Sequence, residues 1–184
     1  MTDDELVGLA REGDSEAFDQ LVIRHQGAVY RAALTALRVP ADAEEAAQDA
    51  FVRAWSRLRW FRGDASFRTW VLTIAWNCAL SRRRGLVSWL RRRAPLEDAG
   101  AIAGDAAPDD AANATELRGH VARAIEALSP KLRDALLLST SGEYEYAEIA
   151  AMLGIPLGTV KWRISDARRQ VRARLAGLGY VDAK

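Results

Sequence analysis

Residues 94–114 constrain the possible fold more than any other part of this 184-residue sequence. They consist mainly of alanine, glycine, aspartate and proline, with few large apolar side chains. Such a segment cannot bury enough surface to offset the chain entropy lost on folding, so we expect a flexible linker there. The sequence therefore predicts two modules, at residues 1–93 and 115–178, followed by a tail at 179–184.

Both predicted modules show the periodicity of amphipathic helices. Apolar residues recur at three-, four- and seven-residue spacings, and the alternation typical of strands is absent. Pro40 predicts the end of one long helix. Further helix starts are expected at capping residues, which are Thr2 with Glu5, Asp42 with Glu45, Ser66, Thr115, and Ser129 followed by Pro130. We predict an all-α fold of two small helical domains.

Composition excludes several kinds of site. The chain has one cysteine, Cys78, and two histidines, His25 and His120, so it cannot form an internal disulfide or readily supply the roughly four ligands of a zinc site. No stretch approaches the ~18 apolar residues of a membrane span, and the acidic N-terminus lacks the apolar run of a signal peptide. We expect a cytoplasmic protein with no membrane insertion, metal, cofactor or catalytic residue.

Charge is distributed unevenly along the chain, although the formal net charge is only +1. Residues 1–50 carry a net charge of −7, residues 51–93 carry +10, residues 94–127 carry −5 and residues 128–184 carry +3. The two basic segments, 51–93 and 128–184, are therefore suited to a polyanion. The acidic N-terminal segment, 1–50, is suited to a different partner.

The second module contains the spacing of a helix-turn-helix. Ala150 stands where two helices cross closely, Gly154 where the first of them must end in a left-handed residue, and Val160 where the second faces the core. This pattern predicts that the second helix enters a DNA groove. Six basic residues lie within 161–174 against one acid, Asp166, which favours DNA contact over a merely solvated basic face.

In the first module, aromatic residues alternate with arginines through residues 55–70 and again up to Arg84. Aromatic faces stack unpaired bases and arginines follow phosphates, so the pattern suits single-stranded DNA, and Asn77 could read the edge of a flipped base. Trp55, Phe67 and Trp70 also recur at helical spacing, which favours a packing role for them.

The helix predicted to begin at Asp42 has two faces. One face carries apolar residues, and the other carries Glu44, Glu45, Gln48 and Asp49. An acidic face usually serves solubility, but it could also dock a basic protein surface.

Three motifs in this order resemble those of the extracytoplasmic-function (ECF) sigma factors of the sigma-70 family. The strongest is FRGDASFRTW at 61–70, which is close to the family's promoter-melting segment. The second is DAEE at 42–45 with QDAF at 48–51, similar to the helix that grips the polymerase clamp. The third combines LSP at 128–130, YAEIA at 146–150 and GIPLGTVK at 154–161.

The resemblance implies a region 2-like and a region 4-like domain, without the third sigma domain, joined by a linker that threads near the polymerase active-site channel. It implies core RNA polymerase (clamp and flap), promoter DNA and an anti-sigma factor as partners. The anti-sigma factor could hold the chain at the inner membrane.

The resemblance also assigns three groups of site residues. Binding and melting of the −10 element would involve Trp60, Phe61, Arg62, Ser66, Phe67, Arg68, Thr69, Trp76, Asn77, Arg82 and Arg83, with Phe61 and Asn77 beside a flipped base. Core polymerase binding would involve Glu44, Glu45, Gln48, Asp49, Phe51, Val52 and Trp55. Binding of the −35 duplex would involve Pro156, Gly158, Thr159, Lys161, Trp162, Arg163, Ser165, Arg168 and Arg169.

Three other functions fit parts of the pattern. A conventional helix-turn-helix regulator would bind duplex DNA tightly without polymerase, usually as a dimer on a palindrome. A nucleic-acid enzyme would need a metal cluster or a nucleophile with a base, but His25 and His120 fall in different modules. A protein adaptor would use the basic faces without any DNA footprint.

Overall fold

The protein is described by a computed structural model that covers residues 1–93 and 110–180, with side chains at 1–85 and 116–180. Every regular element within those ranges is helical, and the predicted all-α fold is confirmed. The elements are α1 (Asp3–Arg11), α2 (Ser15–Leu37), α3 (Pro40–Arg57), a 3₁₀ helix (Leu58–Trp60), α4 (Phe67–Arg93), α5 (Asp110–Glu126), α6 (Pro130–Thr140), α7 (Tyr146–Leu153) and α8 (Leu157–Ala176).

Helices α2, α3 and α4 pack against one another in the first module, and each contributes buried alanines. Ala33, Ala50 and Ala75 are all inaccessible to solvent. Small side chains let helix axes approach closely, so the three helices form a tight bundle. Larger side chains, above all Phe67 and Trp76, fill the interior next to these contacts and are also inaccessible.

Two predicted helix starts are confirmed in atomic detail. The backbone N–H of Thr2 donates to Glu5 Oε2 (2.6 Å), and the N–H of Glu5 donates to Thr2 Oγ1 (3.3 Å), which completes a capping box at α1. At α4, the backbone N–H of Thr69 donates to Ser66 Oγ (3.1 Å). These bonds satisfy N–H groups that a helix leaves without partners in its first turn.

Other helix boundaries differ from the sequence prediction. Helix α3 begins at Pro40 rather than at Asp42, because the fixed φ of proline suits the first helical position and its missing N–H costs nothing there. Helix α4 continues past Arg84 to Arg93, and α5 begins at Asp110, five residues before Thr115. The predicted linker lies, over residues 94–109, outside the described residues.

Helix α1 is attached to α2 through Asp3. Its carboxylate accepts from Arg24 Nη1 at 3.0 Å and lies 2.7 Å from Nε2 of the buried His25. Burial by itself would raise the pKa of Asp3, but the hydrogen bonds with Arg24 and His25 outweigh it and hold the pKa below its ordinary value. The contact therefore stabilises the fold above the pKa of the unfolded chain, and this stability is lost as the pH falls through the lowered pKa.

The second module has the predicted helix-turn-helix geometry. Helix α7 ends at Leu153, and the next residue, Gly154, has a φ of 63°, in the left-handed region that favours glycine. The N–H of Ile155 donates to the carbonyl of Ala150 (3.1 Å), and Ile149 and Val160 are inaccessible to solvent on either side of the turn. The turn thus fixes the direction in which α8 leaves α7.

The two modules pack against each other, which the sequence did not predict. Helix α7 lies against α4 and α6 lies against α2, so that one cluster of buried apolar side chains continues into Leu138, Ile149 and Met152. Between α6 and α7, the hydroxyl of Tyr144 donates to the carbonyl of Ala28 in α2 (3.1 Å). Burial, with the nearby Glu143 carboxylate, raises the pKa of Tyr144 to about 12.

Replacing Phe67 by alanine should strongly destabilise the first module. Phe67 is inaccessible to solvent and lies 6.4 Å from the Phe18 ring and 5.9 Å from the Trp70 ring, centroid to centroid. We expect F67A to lower the free energy of unfolding by about 3–5 kcal/mol, measured by urea denaturation. The matched variant W60A removes a side chain that is 60% exposed and should cost less than about 1 kcal/mol. Equal losses for the two variants would contradict the assignment of Phe67 to the core.

Candidate nucleic-acid interface

The 3₁₀ helix and the segment that joins it to α4 present one aromatic side chain, Trp60, to solvent. Phe61 and Phe67 are buried at the two ends of that segment, with ring centroids 6.3 Å apart. Trp60, in contrast, is 60% exposed, and the guanidinium carbon of Arg59 lies 3.8 Å from its ring centroid. Because an exposed indole backed by an arginine offers a stacking surface next to positive charge, Trp60 is well placed to receive an unpaired base.

A groove of about 860 Å³ lies beside Trp60, and one of its lining residues comes from α1. Arg11 Nη2 donates to the carbonyl of Arg59 (3.4 Å). No local sequence pattern pointed to Arg11, because it precedes Arg59 by 48 residues and joins the groove only when α1 docks. The lining residues are Arg11, Arg59, Trp60, Phe61, Arg62 and Asp64.

Three residues predicted to contact −10 DNA are core side chains in this structure. Phe67 and Trp76, on the face of α4 that packs into the first module, have no solvent-accessible surface, and Phe61 is 7% exposed. None of the three presents a free aromatic face on which a base could stack. Phe67 and Trp76 can influence a bound ligand only by positioning the exposed residues of α4.

Asn77, the residue after Trp76, is exposed on α4. Its Nδ2 donates to the carbonyl of Thr73 within the helix (2.9 Å), which leaves the amide at the surface. At the start of the helix, the hydroxyl of Ser66, the residue before α4, lies 2.9 Å from that of Thr69 in its first turn. These polar groups share the outer side of α4 and its N-terminus.

Arg82 joins the predicted DNA surface to the predicted polymerase surface. Its guanidinium lies 3.9 Å from Asp42 and 3.5 Å from Asp49, and it also pairs with Glu45. Arg82 is on α4 and the three acids are on α3. In this structure Arg82 therefore acts as an ionic link between the two helices.

The other arginines predicted for the −10 element differ in their partners. Arg62 is exposed and lies 3.6 Å from the equally exposed Asp64. Arg68 and Arg83 instead contact acids of the second module, with Arg68 Nε 3.0 Å from Glu148 and Arg83 Nη2 2.9 Å from Asp134. The packing of the modules thus engages two of the predicted DNA-binding arginines.

The outer face of α3 combines acidic and apolar side chains. Glu44, Glu45, Gln48 and Asp49 are exposed. Val52 is 69% exposed and Trp55 is 41% exposed, although the Trp55 ring also packs 4.9 Å from that of Phe18; Phe51 is half-buried. Exposed apolar groups beside carboxylates suit a protein partner that is itself partly apolar and basic.

A basic groove of about 590 Å³ runs along α8 beside the N-terminus of α7. Of the predicted −35 residues it contains Lys161, Ser165, Arg168 and Arg169, and the structure adds Tyr146 and Arg172. The remaining members lie at the start of α8 or beside the groove: Pro156, Gly158 and Trp162 are exposed, and Thr159 and Arg163 are half-buried.

Asp166 does not face the groove with a free carboxylate. It pairs with Arg169 and accepts from Gln170 Nε2 at 2.9 Å, and its side chain is only 10% exposed. The only acid among the basic residues of α8 is therefore neutralised by its own helix.

Neither a metal-binding group nor a membrane-spanning helix occurs among the described residues. Within 1–85 and 116–180, no three histidine, cysteine or acidic side chains form a group that could hold a metal ion. No helix in the part of the chain that the structure covers is long and apolar enough to cross a membrane.

Two family models match the chain, one in each module. Residues 21–88 match sigma-70 region 2, and residues 118–171 match sigma-70 region 4. The ECF RNA polymerase sigma-E factor of Escherichia coli (strain K12) is 37% identical over 183 residues, which cover 93% of both chains. The RNA polymerase sigma-H factor of Pseudomonas aeruginosa is 34% identical over 186 residues, covering 96% of this chain and 95% of the relative.

Solved structures have the same fold. CnrH, in complex with the cytosolic domain of CnrY, matches with a TM-score of 0.65 and 28% identity over 95% of this chain and 97% of that one. The sigma factor RpoE of Bartonella quintana, in complex with the anti-sigma factor NepR, matches with a TM-score of 0.59 and 23% identity over 86% of this chain and 96% of that one.

Removing one basic side chain from the α8 groove should lower the salt dependence of duplex binding. Each phosphate contact contributes a slope of about −0.9 to the plot of log affinity against log salt. We expect Arg168→Gln to reduce the slope by about one such unit, measured by fluorescence anisotropy with a labelled duplex over a series of salt concentrations. Arg118→Gln removes an exposed charge from α5, outside the groove, and is the control; a slope equal to the control's would contradict a DNA-binding groove.

Proposed function

This chain belongs to the sigma-70 family as an ECF sigma factor that directs RNA polymerase, and from that premise we propose how its residues divide the work. Residues 1–93 bind core polymerase and open the −10 element, 94–114 connect, and 115–178 read the −35 element. The chain contributes binding without catalytic chemistry. The observation that carries this proposal is the pairing of an exposed aromatic-arginine surface in one module with a basic helix-turn-helix groove in the other.

At the −10 element, Trp60 stacks on a base that has left the duplex, while Arg62 and Arg11 meet the phosphates beside it. Exposure of Trp60 next to three arginines supports this role. Asn77 reads the edge of the flipped base from the outer face of α4. Ser66 and Thr69, at the start of the same helix, offer hydroxyl groups to the strand.

At the −35 element, α8 lies in the major groove of the duplex. Lys161 and Ser165 are near the N-terminal half of the helix, which in a helix-turn-helix faces base edges. Arg168 and Arg169 lie farther along and meet phosphates. The alignment of all four along one groove supports this arrangement.

Helix α3 docks on the polymerase clamp. Val52 and Trp55 supply apolar contact, and Glu44, Gln48 and Asp49 surround them with polar groups. The second module contacts the flap of the polymerase. When both interfaces form, they hold the two DNA-reading surfaces at a fixed separation. This raises the effective concentration of each surface on the promoter.

An anti-sigma factor is the further partner that we propose. The solved structures of CnrH and RpoE are complexes with CnrY and with the anti-sigma factor NepR. The place of action is the cytoplasm, because the polymerase works there, with an anti-sigma factor able to hold the chain at the inner membrane.

Asn77→Ala should broaden the −10 preference without abolishing transcription. We expect the discrimination between preferred and other −10 bases to fall about tenfold, which is roughly what one base-reading contact contributes. Run-off transcription with core polymerase and a promoter library measures it. Gln26→Ala is a matched control, since Gln26 is likewise an exposed amide that donates within its own helix. If no transcripts depend on the chain, but the free chain leaves a footprint on duplex DNA, the proposal fails and a conventional regulator is favoured.

Val52→Asp should weaken binding to core polymerase by about tenfold or more, because the variant places a charge at an apolar contact. It should change the free energy of unfolding by less than about 0.5 kcal/mol, since Val52 is 69% exposed. Competition for core polymerase against a labelled sigma factor measures the affinity. Ile23→Asp is the control, because Ile23 is 67% exposed but lies on α2; equal affinities for the two variants would argue against α3 as the clamp helix.

A further inference from the structure

Trp162 is a large apolar side chain that α8 holds in solvent. It is 62% exposed, whereas Val160 and Ile164, two residues before and two residues after it, are buried in the second module. Because a helix turns about 100° per residue, Trp162 lies on the side of α8 opposite to this buried face. The indole therefore contributes little to the packing of α8 and is available to a partner outside the chain.

Trp162 also lies near the end of α8 that a helix-turn-helix directs at base edges. Helix α8 begins at Leu157, so Trp162 is its sixth residue, and its Cα–Cβ bond tilts toward the first turn. Gly158, one turn earlier, is exposed, and a Cβ built on it would have nothing within 4 Å. With no side chain at Gly158, the backbone of the first turn can approach a duplex closely, which brings the indole within reach of the bases.

The charged neighbours of Trp162 on α8 are engaged elsewhere. Asp166, one turn after Trp162, pairs with Arg169, and its side chain is only 10% exposed. The cations Lys161 and Arg168 line the groove that runs along the neighbouring stripe of the helix. The part of α8 around Trp162 therefore offers apolar contact rather than a free charge.

One group in the major groove of DNA matches an apolar contact, and that group is the 5-methyl of thymine. The edges of guanine, cytosine and adenine present hydrogen-bond donors and acceptors there. An indole has one N–H donor, so packing its face on such an edge removes water from polar groups without replacing their hydrogen bonds. An exposed indole in the groove is therefore better matched to thymine than to any other base.

We propose that Trp162 determines specificity within the −35 element by packing on the 5-methyl group of a thymine. Lys161 and Ser165 supply the polar contacts to neighbouring base edges, and Arg168 and Arg169 hold the phosphates. The inference rests on the placement of α8 in the −35 duplex that is proposed above. It adds a base that this chain requires and the chemical group by which the base is recognised.

The first test compares the −35 sequences that different holoenzymes select. Core polymerase is combined with the full wild-type chain or with Trp162→Ser, and each holoenzyme selects from a promoter library that is randomised over the −35 element. We expect the wild type to require thymine at one position, on either strand, at which Trp162→Ser shows no preference. Leu178→Ser is the control and should select as the wild type does, because Leu178 is a 54% exposed apolar residue beyond the end of α8.

A second measurement isolates the methyl group. In the promoter that the wild type selects, deoxyuridine replaces the required thymidine, which removes the 5-methyl group and keeps the base pair. We expect the affinity of the wild-type holoenzyme to fall about threefold to fivefold, the effect of exposing roughly one methyl group, measured by competition against the unmodified promoter. The Trp162→Ser holoenzyme should bind both promoters equally, since the partner of the methyl group has been removed.

A third variant separates the apolar contact from other effects of the serine substitution. Trp162→Phe keeps an aromatic ring at this position, so its holoenzyme should still bind the thymine promoter more tightly than the deoxyuridine promoter. Circular dichroism verifies that each variant is folded. If Trp162→Ser is not folded, the deoxyuridine measurement on the wild type and on Trp162→Phe decides.

The outcomes distinguish this inference from the proposed function. A selected −35 element without a required thymine refutes the inference, and so does equal affinity of the wild type for thymine and deoxyuridine. A thymine preference that persists in Trp162→Ser assigns the contact to another residue and also refutes it. In all three cases, transcripts that depend on the chain leave the proposed function intact. If no transcript depends on the wild-type chain, the proposed function fails, and this inference fails with it.

Discussion

The packing of α4 against α2 and α3 is the contact on which the other surfaces of the protein depend. Phe67 and Trp76 are inaccessible on one side of α4, and they fix its rotation about its own axis. Because a helix turns about 100° per residue, burial of Trp76 places Asn77 at the surface. The same packing brings α4 next to the acidic side of α3 and leaves its N-terminal half for α7. The proposed base-reading residue, the polymerase-facing helix and the module interface are thus set by one buried face.

Several arginines that are proposed to bind DNA also form ion pairs that stabilise the folded structure. Arg82 links α4 to the acids of α3, and Arg68 and Arg83 link the first module to the second. An arginine has five donors in a planar fork, so it can exchange one carboxylate for a phosphate at little cost in geometry. These ion pairs let a chain of net charge +1 carry a strongly basic segment without exposing all of that charge.

The aromatic residues show where prediction from the sequence reached its limit. Trp60 and Trp76 occur in the same aromatic-arginine segment and had the same claim to a base, yet one is 60% exposed and the other is inaccessible. Periodicity identified Phe67 as a candidate for the core, but it could not decide for Trp76, because several helical faces of α4 carry large apolar side chains. The acidic face of α3 was predicted correctly as a surface, since Glu44, Gln48 and Asp49 are exposed.

The sequence by itself determined the all-α class, the helix-turn-helix with its left-handed Gly154, and the family, because these follow from local spacing, capping and short motifs. Only the tertiary structure decided that Arg11 lies beside Trp60, that Asp166 is neutralised within α8, and that the two modules close on each other. Contacts such as Arg68 with Glu148 join residues 80 apart, and Tyr144 with Ala28 joins residues 116 apart. No local pattern encodes such pairs, since they depend on the directions in which whole helices pack.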